Sequence, residues 1–183
     1  MNHFAPIILS MFWVVVIALG IFAAVTFRQS GPEKIPPKVA YLYFFSLISL
    51  IIAGMSVSYI WGVLIEMILS DPVMNFEEKK ALSMALAFAV ISLPVWAGHW
   101  YLASRNSRAD AGVLTLWFRE KYIYLVMGLS GVSFLVFVGW VVYKIFNKVL
   151  GISDFDIHFF SRFLGFALAS LVIWLFHWYA VRK

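Results

Sequence analysis

Two histidines carry the chemistry that this sequence could do. His99 and His177 each precede Trp and Tyr, in His99-Trp100-Tyr101 and His177-Trp178-Tyr179, and each stands near the end of a long apolar run. Imidazole nitrogens ligate iron, and an iron porphyrin held between two facing helices takes one histidine from each at equal depth. At about 100° per residue, Phe88, Ser92, Trp96 and His99 share one stripe of a helix. Phe166, Ser170, Trp174 and His177 share the matching stripe of another. In a haem b site His99 and His177 would be the axial ligands. Phe88, Trp96, Phe166 and Trp174 would flank the flat macrocycle, and Ser92 and Ser170 would hydrogen-bond across the bundle. Plainer readings compete. Trp and Tyr gather at membrane interfaces as an aromatic belt, and a histidine one turn inside it can reach headgroups or a backbone carbonyl. Contact with a quinone or a proton is a further reading, because ionisable groups inside membranes lean towards function.

Positioning two such rings requires membrane helices, and the composition supplies them. The chain is 63% hydrophobic and 13% charged, far from the balance of a soluble domain. Crossing a hydrocarbon core of roughly 30 Å takes about 20 apolar residues. Five runs qualify, near Pro6 to Phe27, Val39 to Leu69, Ala81 to Ala103, Tyr122 to Phe146 and Phe159 to Val181. Continuous apolarity without alternation argues for helices and against a barrel. The absence of cysteine excludes disulfides, thiolate metal sites and cysteine nucleophiles. No nucleophile elbow, phosphate-cradling loop, His-Glu metalloprotease helix or buried carboxylate pair stands out, which argues against an independent enzyme.

The net charge of +5 is spread along the loops and forms no patch for nucleic acid. It reports orientation instead. With five spans, one side carries nine basic and three acidic residues, and the other carries five basic and six acidic. Lys and Arg mark the cytoplasmic face, so the expectation is an inner-membrane protein with its N-terminus outside and its C-terminus in the cytoplasm. The first run has no basic residue ahead of it and Arg28 behind it, the reverse of a cleaved signal, so it reads as a retained anchor.

The second half of the chain repeats the first. Leu86 to Arg105 aligns with Leu164 to Lys183 at an offset of 78, matching Leu86, Phe88, Ala89, Ser92, Leu93, Trp96, His99, Trp100 and Tyr101 to their counterparts. Tyr41 and Tyr43 meet Tyr122 and Tyr124 at an offset of 81, as do Ser49 and Ser130, and Trp61 meets Trp140 at 79. The unit is a helical hairpin copied in the same topology, which predicts a two-fold axis along the membrane normal. The expected fold is all-α and integral to the membrane: five transmembrane helices, with the tandem hairpins forming a four-helix bundle beside an N-terminal anchor helix. Its parts are an anchor and linker over residues 1–38, a first hairpin over 39–105, an interfacial cytoplasmic segment over 106–121 and a second hairpin over 122–183.

Local signals refine this outline. Asn75 with Glu78 reads as a capping box, and Ser153 with Asp156 offers a start for the last helix. Ala81, Ala85 and Ala89, and Gly128 and Gly131, predict close helix packing. Pro94, replaced by Val172 in the second copy, predicts a bend. Glu66 and Lys144 lie at similar depth and suggest an ion pair, or separate snorkelling to water. Asp154, Asp156, His158 and Arg162 are a weak metal cluster that more simply caps a helix.

The order Tyr41-x-Tyr43, Pro94-x-x-x-x-His99-Trp100, Tyr122-x-Tyr124, His177-Trp178 resembles an uncharacterised bacterial family of polytopic membrane proteins built from hairpins that end in His-Trp. The resemblance spans the second to fifth runs; the first run falls outside it, and the second copy lacks the proline. It implies fold and location and brings no activity. The expected function is a non-catalytic accessory or scaffold subunit of a bacterial membrane complex, an energy-transducing one being the favoured setting. Its partners would be the lipid bilayer and other membrane subunits, with no nucleic acid and no identifiable soluble substrate. The rival is a b-type haem electron-transfer subunit, and a small transporter is third.

Overall fold

The computed structural model describes residues 20, 37–70, 73–109, 113–152 and 156–182. The expected anchor, Pro6 to Phe27, lies outside the described residues but for Gly20. Four helices follow: α1 (Pro37–Leu69), α2 (Phe76–Ala109), α3 (Val113–Val149) and α4 (Ile157–Val181). All four are long and apolar enough to cross a membrane, and among the described residues there is no strand.

The helix ends follow from local chemistry. Pro37 opens α1, where a missing N–H costs nothing. At the start of α2, Asn75 N–H donates to Glu78 Oε2 and Glu78 N–H donates to Asn75 Oδ1, both at 3.0 Å, so the predicted capping box is present. Gly151 ends α3 at φ +67°. Its N–H reaches the Lys148 carbonyl and the Ile152 N–H reaches the Asn147 carbonyl, the paired closure that favours glycine there. Asp156 caps α4 by accepting from the Phe159 N–H at 3.1 Å, while Ser153 lies outside the described residues. Helix α2 runs on through Pro94.

The interfacial segment expected over 106–121 is divided between helices. Helix α2 extends to Ala109 and α3 begins at Val113. Thr115, Phe118 and Tyr122, three and four residues apart, are all buried, so this stretch turns one face into the bundle as the first turns of α3.

Each hairpin packs along its length, α1 on α2 and α3 on α4, and α1 also packs closely on α4. By contrast, α2 and α3 barely touch; their ring contact is Trp100 on Tyr122, near the link that joins them. The order of packing is therefore α2, α1, α4, α3, and the two-fold expected between the hairpins is broken. Glycines decide this. A Cβ on Gly165 of α4 would lie 2.5 Å from Gly62 N and 2.9 Å from Gly62 Cα, and closer still to the Ser58 carbonyl oxygen. Only bare backbone permits that approach. At the offset of 79 the α3 counterparts of Ser58 and Gly62 are the larger Phe137 and Val141, and Phe137 packs on Phe163 and Phe166 of its own hairpin. Of the small residues expected to pack, Ala85 and Ala89 are buried and Gly131 seats the Trp174 ring, whereas Gly128 faces open space.

Candidate functional site

Polar side chains inside an apolar bundle must find partners, because nothing else there can hydrogen-bond them. Most serines do so on their own helix. Ser49, Ser56, Ser58, Ser92, Ser107 and Ser130 donate to the carbonyl four residues back at 2.6–2.9 Å. Ser92 is thus occupied by the Phe88 carbonyl, which corrects its expected bond across the bundle. Two clusters remain, one at each end.

The basic end, which carries Arg105, Arg119, Lys121 and Arg182, holds an aromatic cluster. Tyr43 and Tyr122 meet at its centre with ring centroids 4.9 Å apart. Tyr43 bonds Ser107 through its hydroxyl at 3.1 Å, and Tyr122 bonds Ser46 at 3.0 Å. Trp100 stacks on Tyr122 at 5.4 Å and meets His177 edge-on at 5.4 Å. Phe118 packs on Tyr43. Beside the cluster, Arg119 of α3 donates to the Ala180 carbonyl at 3.0 Å, satisfying the last turn of α4.

The paired histidines keep their local geometry and lose their common surroundings. Both Nδ1 atoms lie 2.8 Å from the carbonyl four residues back, Val95 for His99 and Ile173 for His177. The Tyr41–His99 and Tyr122–His177 rings stand 6.0 and 6.1 Å apart. Yet Tyr41 is 52% exposed while Tyr122 is 0% exposed, and Tyr43 is 0% exposed while Tyr124 is 55% exposed. The copies present opposite tyrosines to the core. His99 lies against Tyr41 and Phe45 on the rim, and His177 is enclosed by Trp100, Tyr122 and Phe176.

These positions do not suit a haem held between the two histidines. Among the described residues no ring touches both, and Trp96 packs on Phe176 while Trp174 stacks on Trp178 over Gly131. Phe88 is exposed and Phe166 stacks on Phe137. Ser170 is buried on α4. The flanking residues of the expected macrocycle therefore line no common slot. The physical reason is the broken two-fold: equal heights in sequence became unequal depths in the bundle.

The acidic end holds a cluster that sequence reasoning missed. Arg162 Nη2 lies 3.1 Å from Glu66 Oε2, and His158 Nδ1 lies 3.1 Å from Glu66 Oε1. Arg162 also donates to the Tyr59 carbonyl at 3.3 Å and sits 4.4 Å over the Tyr59 ring. Glu66 is thus paired with α4, which corrects the expected Glu66–Lys144 pair; Lys144 rests 5.9 Å over the Phe159 ring. The close α1·α4 crossing is the cause, since it brings Arg162 to Glu66. Two signals were available: Ser58-x-x-x-Gly62 against Ser161-x-x-x-Gly165, and two opposite charges within apolar runs. Asp156 serves the helix cap, Asp154 lies outside the described residues, and among the described residues no group of three His, Asp or Glu side chains is placed to hold a metal.

A family description matches residues 40–176, more than half of the chain. The chain belongs to the DUF5671 family, a domain of unknown function. The DUF5671 stretch takes in the Gly62–Gly165 crossing and the Glu66–Arg162 pair, and it stops one residue before His177. No curated protein and no solved structure matches this chain.

Proposed function

We propose that this DUF5671 chain is a non-catalytic scaffold subunit of a membrane protein assembly, lying in a bacterial inner membrane with its basic end towards the cytoplasm. The supporting observation is a face of α2 that none of the described helices covers. Ser161 and Gly165 of α4 lie against the backbone of Ser58 and Gly62 of α1, with no room for a Cβ on Gly165. Their counterparts on α2, at the repeat offset of 78, are Ser83 and Ala87, and both are exposed. A face copied from a helix-docking surface, small at four-residue spacing and left exposed by the described helices, suits a transmembrane helix of another subunit. Beside it Met84, Val90 and Ile91 are also exposed and add apolar contact area.

Site-specific photo-crosslinking in native membranes tests this. A benzoylphenylalanine at position 87 should give one discrete heavier species. The same probe at the exposed Leu175 of α4 should give none. Equal yields of lipid-only adducts at both positions would end the scaffold reading.

A further inference from the structure

We infer that the aromatic cluster holds one ordered water molecule, bound by His177 Nε2, the Trp96 indole N–H and the Tyr122 hydroxyl. The argument begins with the tautomer of His177. A carbonyl oxygen only accepts, so the contact of 2.8 Å with Ile173 places the hydrogen on Nδ1. A neutral ring then presents a bare lone pair at Nε2, which is buried and has no partner among the described residues. The Trp96 Nε1–H can only donate, and it too is buried without a partner at bonding distance among the described residues. Both rings pack on one residue, Phe176, at 5.2 Å each.

One orphan acceptor on His177 and one orphan donor on Trp96, on rings that share Phe176, define a complementary seat beside Tyr122. Each buried group left unsatisfied costs on the order of 1–3 kcal/mol. A single water accepting from Trp96 while donating to His177 and Tyr122 makes three bonds, the usual number for a buried water. A flat ligand would need about 7 Å between the rings on either side of it. Trp100, Tyr122 and Phe176 stand only 5.4, 6.1 and 5.2 Å from the His177 ring. The water would tie α2, α3 and α4 together where α2 and α3 otherwise hardly meet. The copied His99 has the same tautomer-setting bond, but it lies on the rim against Tyr41 and Phe45 and lacks this enclosure.

Nitrogen-15 NMR of histidine-labelled protein in nanodiscs tests the assignment, paired with infrared difference spectra in H2(18)O. The expected result is a His177 Nε2 that carries no hydrogen but shows the shift of a hydrogen-bonded acceptor, together with an isotope-sensitive O–H band. In Trp96→Phe the band should be lost and the nitrogen shift should move towards that of a free lone pair. His177→Phe should abolish the band, and Trp96→Phe keeps the test decisive should the His177 variant fold poorly. A hydrogen on Nε2, a free lone pair in the parent protein, a band indifferent to Trp96→Phe, or a Soret absorption that depends on His177 would each overturn the inference. None of these outcomes bears on crosslinking at position 87.

Discussion

Replacing Gly165 with Ala tests the account of the α1·α4 crossing. The new methyl carbon would meet the Ser58 carbonyl oxygen and the Gly62 nitrogen and Cα, at 2.5 Å or less from the first two. All three are backbone atoms, so no side chain can swing aside, and α1 must move away from α4. Overpacking of this kind costs about 1–3 kcal/mol. In a helix that same change would otherwise stabilise by about 0.5–1 kcal/mol through backbone entropy. Gly128→Ala measures that second effect alone, because nothing lies within 4 Å of its added carbon. At about 2–4 °C per kcal/mol for a chain of this size, Gly165→Ala should place the midpoint of thermal unfolding ~2–12 °C below that of Gly128→Ala, which carries the entropy gain without the clash. Gly128→Ala should leave it level or raise it slightly. Intrinsic fluorescence in detergent suffices as the assay, since the chain carries eight tryptophans. Equal midpoints for the two alanine variants would refute the claim that bare glycine backbone sets the helix order.

Three further outcomes follow from the same contacts. Arg162→Met leaves the Glu66 carboxylate without its closest cation and should cost about 3–5 kcal/mol, while adding Glu66→Leu should recover much of the loss; a double variant no better than the single would show that the pair is not coupled. Tyr43→Phe and Tyr122→Phe each remove a buried side-chain hydrogen bond, to Ser107 and Ser46, and should cost at least about 1 kcal/mol, whereas Tyr124→Phe, on the exposed counterpart, should be silent in the same unfolding assay. Arg119→Ala removes the donor to the Ala180 carbonyl, so hydrogen exchange should quicken at the end of α4 and stay unchanged at its Asp156 cap.

Local features were legible wherever a residue acts on its own neighbours. The capping box at Asn75 and Glu78, the helical character of the last four apolar runs and the copied hairpin all rest on chemistry that reaches a few residues along the chain. The copy even preserves the Nδ1 bonds of His99 and His177, because each carbonyl partner lies on the histidine's own helix. The continuity of α3 from Val113 was not legible, because the charged Arg119, Glu120 and Lys121 mask the inward face formed by Phe118 and Tyr122.

What the chain alone determined is two like hairpins of apolar helices, since hydropathy and short-range hydrogen bonding are encoded residue by residue. Which helices meet was decided in three dimensions. Ser58 and Gly62 admit α4, whereas their copies Phe137 and Val141 are larger and Phe137 packs inside its own hairpin. A repeat cannot reveal that choice, because the steric fit of two surfaces depends on both at once. The same choice buried His177, left His99 on the rim and gave Glu66 to Arg162.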